Sequence, residues 1–151
     1  MAELEGLKAE IEALSKRVEV LEDAEEIKRL HREYVYSLCE KKWDNMLECF
    51  VEDAEAEIMG ERFKGKKEIE AFFKNVLEER ISLKDGHIVC QPVIAVRGEE
   101  ASGHWILYLF FSEPSWRWMQ GRQECEYVKV GGRWKIKKMR FFAPWPMAEK
   151  G

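Results

Sequence analysis

After Gly86 the chain reads as four long runs of strand-forming residues, GHIVCQPVIAV, ASGHWILYLFF, WRWMQGRQECEYVKV and RWKIKKMRFFAPW, separated only by RGEE, SEPS and GG. Short links rich in turn formers favour antiparallel neighbours, because a parallel pair needs a crossover of a dozen residues or more. The spacing therefore predicts an antiparallel meander. Alternation is clearest in the last run, where Trp134 and Ile136 oppose Lys135 and Lys137, giving one apolar and one polar face.

Most of what precedes Gly86 has helical spacing. Leu4, Leu7, Ile11, Leu14, Val18 and Leu21 recur at intervals of three and four with charged residues between them. This heptad seam is shorter than a coiled coil usually needs and equally fits an amphipathic arm lying on its own domain or on a neighbouring subunit. Asp23 with Glu26 reads as a helix N-cap and its capping-box partner, from which a helix restarts or continues to about Lys41. On that helix Ile27, Leu30, Tyr34 and Leu38 share a face, which turns Tyr34 inward and sets Cys39 beside it. WDNMLECF gives a short helix with Trp43, Met46, Leu47 and Phe50 as its apolar side. A short strand, a turn at Gly60 and a third helix follow, the last turning Ile69, Phe72, Phe73, Val76 and Leu77 inward. Helices first and a sheet afterwards make an α+β layer architecture, with the sheet wrapped around the long helix.

At 151 residues the chain has the length of one domain. A formal charge of −4 with both signs interspersed provides no basic stripe for nucleic acid and no polybasic membrane anchor. No apolar run approaches the roughly 20 residues that span a bilayer, and the acidic N-terminus does not read as a signal peptide. The expected setting is the cytoplasm. Cys39, Cys49, Cys90 and Cys125 lie far apart without metal-like spacing, so free thiols and no metal site are expected. Aromatic residues make up 12% of the chain and concentrate after residue 104, which fits either a large core or an aromatic-walled pocket.

The words EEIKRLHREYVYSL, KKWDNMLECFVEDAEAEI, FKGKKEIEAFF, GHIVCQPVIAV, ASGHW and EYVKVGGRWKIKKM stand in an order that resembles the polyketide cyclase SnoaL-like branch of the nuclear transport factor 2-like superfamily. The resemblance runs from about Leu21 to Phe142. Within that branch the chain looks most like the bile acid 7α-dehydratase and scytalone dehydratase group. It implies a cystatin-like, cone-shaped half-barrel with long N-terminal helices packed into a curved antiparallel sheet. The implied division is an amphipathic extension over 1–22, a cone domain over 23–145 and a tail over 146–151. The cone would hold an apolar pocket for a hydrophobic small molecule, without organic cofactor or metal. Because the same cone hosts several chemistries as well as plain binding modules, fold alone does not assign function.

Dehydratases of this group use a tyrosine on the long helix, an aspartate five positions later and a histidine near the start of the first long strand. The resemblance carries these roles onto Tyr34, Cys39 and His87, so that a cysteine stands where the acid is expected. Elimination beside a carbonyl needs a base at the α-carbon, a donor to oxygen and a carboxylate that orients the imidazole. Histidine and tyrosine suit the first two roles, whereas a neutral thiol supplies no charge. Three readings of Cys39 stay open: an inert thiol in the pocket wall, a polar partner in altered chemistry, or a nucleophile activated by His87.

Leu38 and Phe73 are expected in the pocket wall, and His104 is a second-rank pocket candidate. His31, on the charged side of the helix, is expected at the surface. Trp116 and Trp118, with Arg117 and Arg122, would make either an aromatic rim holding an anionic tail or a strand or subunit contact. Glu124 would replace the missing acid if it pointed into the cone. The tail around Trp145 is expected to cap the cone mouth or dock on another subunit. Two functions follow as expectations. One is a cofactor-independent dehydratase or isomerase acting on a hydrophobic cyclic carbonyl compound; the other is a ligand-binding or assembly domain without catalysis. A homo-oligomer, trimer or dimer, is expected with either.

Overall fold

In the computed structural model, which describes residues 1–146, one uninterrupted helix α1 (Ala2–Cys39) opens the chain. It is followed by α2 (Trp43–Glu48), β1 (Phe50–Ile58), β2 (Glu61–Lys64), α3 (Lys66–Phe72), a π-helical turn over Phe73–Leu77, and α4 (Glu78–Arg80). Four long strands complete the fold: β3 (Gly86–Arg97), β4 (Glu100–Phe111), β5 (Arg117–Val130) and β6 (Arg133–Phe142).

The six strands form one sheet in the order β2-β1-β6-β5-β4-β3. The meander over β3 to β6 is antiparallel as the short turns require, but β1 runs parallel to β6, so the sheet is mixed. The parallel pair is possible because the whole of α3 and the meander separates the two strands in sequence. Phe50, grouped with the short helix by its spacing, instead opens β1.

Helix α1 packs its C-terminal half on β3 and β6, while residues 2–22 are exposed on every side. Asp23 does not cap a helix, because α1 passes straight through it. Its buried carboxylate accepts hydrogen bonds from Trp134 Nε1 and Lys129 Nζ, both at 2.9 Å. Burial would raise its pKa, yet those bonds and the Lys129 charge together hold it below the ordinary carboxylate value. Asp23 thereby pins the helix to β5 and β6 where the exposed arm begins.

The core lies between α1, α3 and the inner sheet face. Phe73 is fully buried there, its ring centroid 6.1 Å from Trp43 and 6.3 Å from Phe50, and Tyr34 meets Phe50 edge-on at 5.7 Å. The Trp43 contact is stacked, the Phe50–Phe73 contact tilted and the Tyr34 contact edge-on, and rings of this size dominate the burial that stabilises a small domain. Strand β3 is an edge strand that breaks register between Cys90 and Val93, with Gln91 at φ 52° and Pro92 beside it.

Candidate active site

Between α1, the α3 and π-helical segment and the inner face of the sheet lies a cavity of about 220 Å3. Its apolar wall includes Leu38, Phe72, Leu77, Leu107, Leu109 and Phe141; Tyr34, His87 and Gln123 supply polar groups, with Glu61 and Arg80 on exposed positions around it. Apolar lining with a few convergent polar groups is the usual composition of a small-molecule site. The π-helical turn presents Leu77 to the cavity one turn after Phe72, a local irregularity of a kind often found at functional sites.

Tyr34 reaches the cavity because it lies on the buried face of α1. Burial drives its phenol pKa well up, the Cys125 and Cys49 thiols add to this, and the Gln123 amide partly opposes it. His87 is the second residue of β3 and is buried. Its Nδ1 lies 3.8 Å from Cys39 Sγ, and that same sulfur lies 3.8 Å from the His87 carbonyl oxygen. One proton assignment satisfies both contacts: the thiol donates to the carbonyl, Nδ1–H donates to sulfur, and Nε2 keeps its lone pair. Burial lowers the His87 pKa, and Asp85 opposes the shift through its charge. Asp85 is itself fixed, accepting from the Ser82 N–H at 2.9 Å and from the Ser112 N–H and hydroxyl at 2.8 and 2.9 Å. The Cys39 thiol has its pKa raised by burial, so it is held in the neutral form.

Behind this pair runs a buried hydrogen-bond chain. Trp105 Nε1 donates to the Tyr127 hydroxyl at 3.0 Å, and Tyr127 meets His31 Nδ1 at 2.9 Å. His31 Nε2 meets Gln123 Oε1 at 2.8 Å, and the Gln123 amide nitrogen contacts Met139 Sδ at 3.7 Å. His31 also stacks on Trp105 with centroids 4.5 Å apart. Gln123 offers its carbonyl oxygen to the ring, so the His31 proton sits on Nε2 and Nδ1 accepts from Tyr127. Burial, only partly opposed by the Gln123 bond, pushes the His31 pKa down to about 4, which keeps the ring neutral at pH 7.

His31 is thus core, and not surface as its charged neighbours suggested. It is four residues after Ile27 and three before Tyr34, the spacing of one helix face, and its polar identity concealed that position. Gln123 and Tyr127 carried a legible signal too, since Gln123, Cys125 and Tyr127 alternate with the charged Glu124 and Glu126 along β5, and all three are buried.

Tyr34, Leu38 and His87 meet at the cavity, and Cys39 stands behind His87. Phe73 lies in the core beside Phe72, whose side chain is in the cavity wall instead. His104, Trp118 and Arg122 do not join them. His104 and Arg122 border a charged groove of about 800 Å3 with Glu55, Glu57 and Arg140 on the other sheet face. Trp118 is 66% exposed and lies 6.2 Å from Tyr108, and Trp116 is exposed as well. Arg117 lies over Phe111 at 4.6 Å. Glu124 points away from the cavity and pairs with Arg122 at 3.0 Å and Arg140 at 3.9 Å, so it offers no substitute acid. Trp145 does not cap the cavity. Its N–H bonds the Gln120 carbonyl at 2.8 Å, with Arg122 5.3 Å from its ring, and residues 147–151 of the tail lie outside the described part.

An α1 helix laid on one face of a mixed sheet, with a small apolar cavity between them holding a tyrosine and a histidine, defines a pocket-bearing α+β protein. The chain belongs to the SnoaL-like domain family, which it matches over residues 19–140. Solved structures share the fold at low identity. An NTF2-like protein with a cystatin-like fold from Novosphingobium aromaticivorans is 19% identical, with a TM-score of 0.79 over 89% of this chain and 90% of its own. A candidate scytalone dehydratase from the same organism is 20% identical, with a TM-score of 0.74 over 85% and 97%. The hexachlorocyclohexane dehydrochlorinase LinA-type3 from Novosphingobium barchaimii is 17% identical, with a TM-score of 0.75 over 83% and 89%. No curated protein matches the chain. Among the described residues no helix is long and apolar enough to cross a membrane.

Proposed function

We propose that the chain is a lyase or isomerase that moves a proton on a small hydrophobic cyclic carbonyl compound, with His87 as base and Tyr34 as hydrogen-bond donor. The observation that carries this reading is their shared apolar cavity, with His87 Nδ1 engaged by Cys39 and Nε2 left as the basic nitrogen. In the proposed step Nε2 takes the proton α to the carbonyl, and the Tyr34 hydroxyl stabilises the charge growing on the carbonyl oxygen. For dehydration, the β-hydroxyl leaves with that proton as water and the substrate becomes the enone. For isomerisation, the proton returns at a different carbon of the same substrate. The structural neighbours named as dehydratase and dehydrochlorinase support elimination as the reaction type.

The cavity volume favours a substrate of one or two rings over a larger polycycle, since typical ligand pockets measure roughly 300–1,000 Å3. Cys39 in this reading orients the imidazole through weak sulfur contacts, while the charge that favours its protonated form comes from the more distant Asp85. A slower enzyme than one with a carboxylate at that position follows. A panel of cyclic enones and β-hydroxy ketones, assayed by product mass with native protein and with His87→Ala and Tyr34→Phe, tests the proposal. Turnover in the native protein lost with His87→Ala supports it. Ligand binding without product, or turnover unchanged by His87→Ala, rejects it in favour of a binding domain.

A further inference from the structure

The N-terminal arm has an apolar seam that its own domain does not cover. Leu4, Leu7, Ile11, Leu14, Val18 and Leu21 are each about half exposed or more, with Ile11 at 62% and Leu21 at 67%. The seam also points away from the direction in which the helix meets its domain. Continued past Leu21 at the same period it would pass through positions 28, 32 and 35, whereas the face α1 buries is centred on Ile27, His31, Tyr34 and Leu38, and the two share only Val35 at their margin. The offset is one residue, a rotation of roughly 100° about the helix axis. The arm therefore cannot fold its leucines onto the domain without a break in a helix that has none.

We infer that this arm pairs with the arm of a second copy of the chain as a parallel, in-register, two-stranded coiled coil. With Leu4, Ile11 and Val18 at a, and Leu7, Leu14 and Leu21 at d, β-branched residues occupy two of the a positions and leucine fills every d, the choice that favours two strands. The flanking charges choose the orientation. Glu3, Glu10 and Arg17 fall at g, and Lys8, Ser15 and Glu22 at e. In a parallel pair Glu3 faces the second copy's Lys8, Arg17 faces its Glu22, and Glu10 faces the neutral Ser15. No like charges meet. An antiparallel pair would align g with g and e with e, retaining only the Glu10 and Arg17 attraction. The eighteen residues from Leu4 to Leu21, at about 1.5 Å each, give a seam of about 27 Å, and such an isolated length is marginal in water unless its apolar stripe is covered.

Light scattering of the full chain tests this. The double variant Leu7→Glu/Leu14→Glu is expected to halve the mass of the assembly, because both positions are exposed and leave the domain intact. A native monomer, a native trimer or an unchanged mass in the double variant would overturn the inference. Orientation is read separately from Leu4→Cys, which is expected to crosslink two copies under mild oxidation if the strands are parallel. Absence of that crosslink, while the chain is dimeric, overturns the parallel pairing. Lys8→Glu is expected to weaken association and Glu3→Lys/Lys8→Glu to restore it, a rescue that contact through the sheet would not produce.

Discussion

Tyr127 and His31 are joined by a hydroxyl-to-Nδ1 hydrogen bond of 2.9 Å between β5 and α1, and this one bond sets the direction of the buried chain from Trp105 to Gln123. Because Trp105 only donates, Tyr127 passes its own proton on to His31, and His31 passes its Nε2 proton to Gln123. The order of donors fixes which end of the Gln123 amide faces the helix and which faces Met139.

Removing the hydroxyl should therefore cost more than one bond. Tyr127→Phe leaves Trp105 Nε1 and His31 Nδ1 buried and unpaired, at roughly 1–3 kcal/mol for each such group. Urea unfolding is expected to show a loss of a few kcal/mol with the slope unchanged. A variant as stable as the native protein would contradict the chain of donors.

Acid should weaken the fold before the carboxylates titrate. His31 has a folded pKa of about 4 against an ordinary 6.5, so between those values the unfolded chain takes up a proton that the folded one refuses. Its contribution is fully present above pH 6.5 and falls as pH drops through that window, the loss reaching on the order of 3 kcal/mol by pH 4. His87, lowered in the same direction by burial, adds to the same loss. Asp23 and Asp85, both held below 3.8, contribute stability that is lost only below about that pH. Urea midpoints at half-unit steps from pH 7 to 3 are expected to show the first decline above pH 4.

Restoring a carboxylate beside the imidazole should raise both the His87 pKa and turnover. Cys39→Asp replaces a neutral thiol 3.8 Å from Nδ1 with a charge, and loss of the orienting acid in a protease triad costs about 10⁴ in rate. A gain of tenfold or more, with the acid limb of the pH–rate profile moved upward, is the expected outcome. Asp85→Asn should move that limb downward, because the Asp85 charge now holds the His87 pKa up. A limb indifferent to both changes would remove His87 from the reaction.

Gly121 supports the cavity from behind. A β-carbon there would strike the ring of Phe141, a cavity-wall residue, and stand 3.0 Å from the Phe142 carbonyl oxygen. Gly121→Ala is expected to destabilise by about 1–3 kcal/mol through overpacking, seen as a melting temperature lower by several degrees. Ligand affinity should fall with it.

The elements that carry periodicity were legible in the sequence. Long strands linked by two to four turn residues could only pair with their neighbours, so β3 to β6 and their order followed from RGEE, SEPS and GG. The parallel pairing of β1 with β6 was not legible, since nothing local to VEDAEAEI records which strand will lie beside it. In the site, Tyr34 and Leu38 were readable from helical spacing, and His87 came from the resemblance. His31 was missed because histidine among Lys28, Arg29 and Arg32 suggests a solvated face, whereas its partners Gln123 and Tyr127 come from a strand more than ninety residues away. Burial of a polar residue depends on partners that only the fold assembles.

The two free margins of the sheet are of opposite build, and each refuses a further strand in its own way. On one side β2 is only four residues long and carries Glu61, Arg62 and Lys64. On the other, β3 is twelve residues long, but Pro92 removes a backbone donor and Gln91, in the left-handed region, turns the strand out of line midway. Each device works against a neighbouring chain zipping along its margin. Growth by edge pairing, the route by which crowded β-proteins become fibres, is thus disfavoured at both margins in the folded state.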